Sequence, residues 1–172
     1  MKVDNAAMEP MNPKTPAMGK EHPGMYARFA AMIATSTIVM FGLMYLNTYD
    51  IDHVFFSQTR AWMAVVMGAT MAVIMLTFMR GMYKNARLNA AIYGTSVVCF
   101  AIALWLVRSQ ATVSDVSWMK SMIPHHSIAI LTSERARITD PRVRKLADGI
   151  ITAQRREIGE MKALITDLET SR

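Results

Sequence analysis

The stretch "WMKSMIPHHSIAIL", from Trp118 to Leu131, sets Met119 and Met122 ahead of a proline and the adjacent histidines His125 and His126. Thioether and imidazole together are the ligands that a soft metal such as Cu(I) or Ag(I) prefers. Methionine also fills irregular gaps in cores, so the chemistry depends on where these side chains lie.

Projected at 100° per residue, Trp118, Met119, Met122, His125, His126, Ala129, Ser133 and Ala136 share one side of a helix. The next amphipathic segment gives the stripe Val143, Leu146, Ile150, Gln154, Glu157, Met161, Leu164 and Leu168. A carboxylate on such a stripe is costly unless it is paired or bound to something. Taking the turn near Thr139 as a pivot, His125 and His126 stand level with Gln154. Met122 then stands level with Glu157, and Met119 with Met161. The two stripes are therefore expected to face each other as one composite site. Met119, Met122, His125, His126 and Met161 are its candidate ligands. Glu157 and Gln154 are expected to orient a histidine rather than to ligate Cu(I). Pro124 removes a helical hydrogen bond just before the histidines, which predicts either a kink or a fresh helix start there.

What must position this site is a mostly apolar chain. Of 172 residues, 52% are hydrophobic and 19% charged. The apolar ones gather in three blocks, about Tyr26–Leu46, Ala61–Met79 and Leu88–Val107. At ~1.5 Å per residue each reaches the roughly 30 Å of a bilayer's hydrocarbon layer. The first block follows a polar stretch and precedes "NTYDIDHVFF" rather than a small-residue cleavage site, so it reads as an anchor that stays. The loop "RGMYKNARLN" carries Arg80, Lys84 and Arg87 and no acid, whereas the loop before it carries Asp50 and Asp52. The basic loop is expected inside, with the N-terminus, and everything after Arg108 outside. Arg108 itself lies on the wrong side for that rule. The expected location is a bacterial inner membrane with the C-terminal segment in the periplasm or outside the cell.

Net charge is +6, with no cluster of basic and aromatic residues of the kind that binds nucleic acid. Cys99 is the only cysteine, mid-span, and offers neither a disulfide nor a CxxC motif. The predicted organisation is a disordered Met- and Pro-rich tail over 1–25, a three-helix membrane region over 26–107 and a helical hairpin over 108–172. The tail's Met8, Met11, Met18, His22 and Met25 are weak metal candidates. In the second span Met63, Met67, Met71, Met75 and Met79 recur every four residues. They form either an adaptable packing seam or a thioether ladder. The hairpin is expected to run about Ser114–Arg137, then from the Asp140 cap and Pro141 to about Glu169.

"MIPHH" followed by "LADGIITAQRREIGEMKALI" resembles the bacterial family catalogued as domain of unknown function 305. The matching residues are Met122, His125, His126, Gln154, Glu157, Ile158 and Met161. The resemblance implies a ferritin-like helical fold and, as in some periplasmic members, copper binding. The fold class expected is all-α, with the four-helix bundle completed by oligomerisation, a dimer first. Ile123, Ile128, Leu131, Ile151, Ile158 and Ile165 point away from the predicted seam and supply surface for that association.

The expected function is non-catalytic: a membrane-anchored binder of Cu(I) or Ag(I) that buffers or hands on metal. Its partners would be membrane lipid, a second copy and an unidentified metal-transfer protein. A di-iron oxidase would need Glu-x-x-His pairs, which this hairpin lacks. The methionine ladder makes a permease resembling the eukaryotic-type copper permeases an alternative, and a purely structural membrane oligomer is another.

Overall fold

In a computed structural model that describes residues 24–171, the chain forms five α-helices and one short 3-10 turn, with no strand among the described residues. Helix α1 runs Gly24–Leu43, α2 Gln58–Phe78, α3 Ala86–Ser109, α4 Asp115–Arg135 and α5 Pro141–Thr170. The first three are 20, 21 and 24 residues long and apolar enough to cross a membrane. They are the three spans read in the sequence, with ends shifted by a few residues. The tail candidates Met8, Met11, Met18 and His22 lie outside the described residues.

Capping sets most of the boundaries. Ser57, buried, accepts from Arg60 N at 3.2 Å and opens α2. Asn85 accepts from Leu88 N at 3.1 Å and opens α3. That helix ends on Gln110, which takes the left-handed conformation (φ 53°) and donates its side-chain amide to Val107 O at 2.6 Å. Ser114 caps α4, while Asp140 caps α5 with Pro141 at its first position. Each of the N-caps Ser57, Asn85, Ser114 and Asp140 satisfies an amide that the first helical turn leaves without a partner.

Helix α2 is the centre of the membrane region, since α1 and α3 both pack along it, while they meet each other through the Tyr26–Asn89 hydrogen bond at 3.1 Å. Its buried face is small: Ala64, Gly68 and Ala72, then Leu76. Gly68 lies so close to α1 that a Cβ there would collide with the Thr37 hydroxyl. Thr37 is itself fixed by donating to Ile33 O at 2.8 Å. At one end of the region Phe29, Tyr26 and Tyr83 interlock, with ring centroids 5.0 and 5.3 Å apart. At the other end Arg60 sits 4.6 Å over the Tyr45 ring and donates to Met44 O. Helices α4 and α5 form an antiparallel pair beyond this second end. Helix α4 passes through Pro124 without interruption, so no new helix begins there.

Candidate metal centre

The seam between α4 and α5 is not the one that helical projection gave. The hairpin core is Met119, Ile123 and Ile130 of α4 against Ile158, Met161 and Ile165 of α5, with Met122, Ile151 and Phe55 packed around it. Of the stripe read on α5, Val143, Leu146, Ile150, Leu164 and Leu168 are exposed. Ile123, Ile151, Ile158 and Ile165, read as pointing elsewhere, form the seam. The physical reason is that α5 has two apolar stripes side by side. Periodicity identifies both and cannot say which one meets α4.

One side of the hairpin is closed by the loop between α1 and α2. Ser127, fully buried on α4, accepts from Tyr49 N at 2.7 Å and lies 3.0 Å from His53 Nδ1. Asp52 pairs with Lys162 of α5, Arg155 lies over the Tyr49 ring, and Phe55 enters the core. Burial lowers the pKa of His53, opposed by the carboxylate of Asp52. None of these contacts was read from the sequence. The available signal was Phe55 and Phe56, two aromatic residues in a loop otherwise outside the apolar blocks.

The other side is open, and the coordinating residues border it. His126 Nδ1 lies 3.2 Å from Glu157 Oε2, with the histidine side chain 15% exposed. The distance permits an ion pair, but the angle does not make a hydrogen bond, which leaves this buried nitrogen without a hydrogen-bond partner. Gln154 Nε2 donates to the same carboxylate oxygen at 3.4 Å. Met122 stands one turn before His126 on α4, and Met161 one turn after Glu157 on α5, so along the hairpin both fall on the same side of the His126–Glu157 contact. Met119 and Met161 are both buried in the hairpin core, and Met122 packs against that core. His125 is exposed, its ring centroid 6.3 Å from that of His126.

The structure thus brings together His126, Glu157 and Gln154, and gathers Met119, Met122 and Met161 in the hairpin core. It does not bring His125 into that group. The register also differs from the one expected, since Glu157 meets His126 rather than standing level with Met122. The link from Ala136 to Asp140 is extended at both ends, so the chain does not pivot symmetrically about Thr139.

Burial lowers the pKa of His126; the carboxylate of Glu157 opposes that shift, and His125 adds to it. The imidazole is therefore held neutral, the form a metal requires. Among the described residues no three His, Cys, Asp or Glu side chains gather in one place. A buried imidazole nitrogen lacking a hydrogen-bond partner, on a hairpin whose core carries thioethers, offers donor types of the soft kind that suit Cu(I) and Ag(I).

The methionines of α2 are arranged differently. Met63 is exposed, while Met75 and Met79 pack against the cluster of Phe29, Ala72, Leu76 and Tyr83. Met25, Met32, Met79 and Met82 line an open cavity of about 820 Å³ that Arg28 also borders. A fixed cation beside it opposes binding of another.

Residues 108–172 match the family described as "Domain of unknown function (DUF305)". An uncharacterized protein of Acanthamoeba polyphaga mimivirus is 29% identical over 144 residues, covering 80% of this chain and 93% of the relative. That alignment is more than twice as long as the matched domain, so the similarity extends into the membrane region. No solved structure matches the chain.

Proposed function

Residues 108–172 are a domain of the DUF305 family, and on that premise we propose that the chain is a membrane-anchored binder of soft metal ions. The observation that carries this reading is the buried His126 Nδ1, without a hydrogen-bond partner, on a hairpin whose core holds Met119 and Met161 with Met122 packed against it. His126, Met122 and Met161 would hold the ion. Met119 lies one turn deeper, and Glu157 and Gln154 would orient the imidazole. His125, exposed at the rim, would take part in exchange. Bound Cu(I) or Ag(I) undergoes no reaction here. The role is buffering or transfer, without catalysis, on the side of the membrane where the hairpin lies. The loop charges favour a cytoplasmic N-terminus and an extracytoplasmic hairpin, as in the inner membrane of a bacterium.

The test uses the purified full chain in detergent under reducing conditions, competing for Cu(I) against a coloured chelator. Met161→Leu conserves volume and leaves the core filled, so the fold should persist. His126→Ala and Met161→Leu should each weaken binding by about tenfold or more, with helicity unchanged. Unaltered affinity in the double variant would remove the proposal. The permease alternative predicts instead that metal flux into vesicles depends on Met63, Met67 and Met71 and not on His126.

A further inference from the structure

The open side of the hairpin is apolar along most of its length. On α5 Val143, Leu146, Ile150, Leu164 and Leu168 are exposed, at 49, 65, 37, 52 and 37%. On α4 Trp118 is 50% exposed and borders a depression with Leu164 and Leu168. Val143, Ile150, Glu157 and Leu164 recur at intervals of seven, the period of a helix-packing seam. A face of this kind in an extramembrane domain marks an interaction surface.

Its layout is self-complementary. The midpoint between Leu146 and Leu164 is position 155, so the polar set Gln154 and Glu157 lies at the middle of the stripe, apolar toward both ends. The charges on α5 are divided by halves. Away from the midpoint, Arg142, Arg144 and Lys145 lie in the first half against Asp148 alone, and Glu160, Asp167 and Glu169 lie in the second against Lys162 alone; Arg155, Arg156 and Glu157 stand at the midpoint. This division opposes the helix macrodipole, for α5 has no acid in its first turn and no base in its last. Lys145 near one end and Asp167 near the other belong to none of the ion pairs among the described residues. A helix charged in this way is complementary to a second copy of itself running the opposite way, and repels one running parallel.

We propose that a second copy of this chain covers the open side of the hairpin, the two α5 helices packing antiparallel about an axis near position 155. The four helices then form one bundle. Glu157 and Gln154 of both copies meet near the axis, where His125 of each copy, exposed in the single chain, stands at the rim of the other's centre. The association rests on the apolar stripe and the charge division alone. Only the statement that it encloses a metal centre rests on the function proposed above. The alternative occupant of the stripe is the lipid surface.

The experiment measures the mass of the full chain in mild detergent with a chelator present, so metal plays no part. A dimer is expected. Leu146→Glu and Leu164→Glu alter side chains that are exposed within one chain, so helicity should stay and the dimer should dissociate. In a Cys99→Ser background, chains carrying Leu146→Cys should cross-link to chains carrying Leu164→Cys and not to themselves. A wild-type monomer would overturn the proposal, as would a dimer indifferent to both glutamates or cross-links only between identical positions. A monomer whose position-164 label is shielded by lipid in vesicles would assign the stripe to the membrane. If the dimer stands and copper binding fails, only the function proposed above is lost.

Discussion

His126 is held between opposing influences. Burial and the neighbouring His125 keep it neutral, while Glu157 at 3.2 Å pulls its pKa back up. The folded pKa lies below the unfolded one, so between the two the unfolded chain carries the extra proton. This group's contribution to stability is therefore complete above the ordinary histidine value of about 6.5 and is lost as pH falls through it. Metal affinity has the same sign, since proton and metal compete for one nitrogen. Because the metal binds the folded chain, whose His126 pKa is lowered, Cu(I) affinity should stay flat from pH 8 through 6.5 and decline only at lower pH. Glu157→Gln gives a second, sharper outcome. Without the carboxylate the imidazole pKa falls further, so affinity should persist to lower pH than in the wild type. A uniform loss of affinity at every pH would instead make Glu157 a direct ligand.

One buried hydroxyl joins the hairpin to the loop between α1 and α2, beside Phe55 and the Asp52–Lys162 pair. Ser127 is fully buried, accepts from Tyr49 N and touches His53. Ser127→Ala removes the hydrogen bond from both partly buried partners, at a cost of about 1 kcal/mol. Loop 44–57 should then exchange amide hydrogens faster and be cut sooner by protease, with the spans unaffected; unchanged protection would show that Phe55 and the Asp52–Lys162 pair suffice. Ile123→Ala removes a side chain with no exposure from the centre of the hairpin. It should cost about 2–5 kcal/mol in denaturant unfolding followed by far-UV signal from the hairpin.

These same residues show what the sequence could disclose about helices. Helix existence and capping were readable because apolar length, Ser114, Asp140 and Pro141 are local signals. The residues of the candidate centre were readable as sharing a side, because helical projection depends on spacing alone. Which side faces α4 was not. Ile151, Ile158 and Ile165 repeat at seven just as Val143, Ile150, Glu157 and Leu164 do. The choice is made by the loop between α1 and α2, through Phe55, Asp52 and the hydrogen bonds to Ser127. Those contacts join residues far apart in sequence, and no local pattern marks them.

Across the molecule, charge is distributed by end. At the end away from the hairpin stand Arg28, Arg80, Lys84 and Arg87, with no acidic residue among the described ones there. At the hairpin end Asp50 and Asp52 balance Arg60, whose guanidinium is folded back onto Tyr45 and Met44 O. Arg108 is the exception, exposed at the hairpin end where the rule disfavours it. Insertion retains basic loops on the cytoplasmic side, and only charges close to the span ends count. The three basic residues between α2 and α3 should therefore dominate over Arg108. In a bacterial host, a reporter active only in the periplasm and fused after Arg172 should be active, and a cytoplasm-only reporter silent. Changing Arg80, Lys84 and Arg87 together to glutamine removes the asymmetry, and should give a mixed population in which both reporters respond. Activity of the cytoplasmic reporter alone on the unaltered chain would reverse the orientation. It would also place His126 and its methionines in the cytosol, where a role in extracytoplasmic metal handling has no access to its metal.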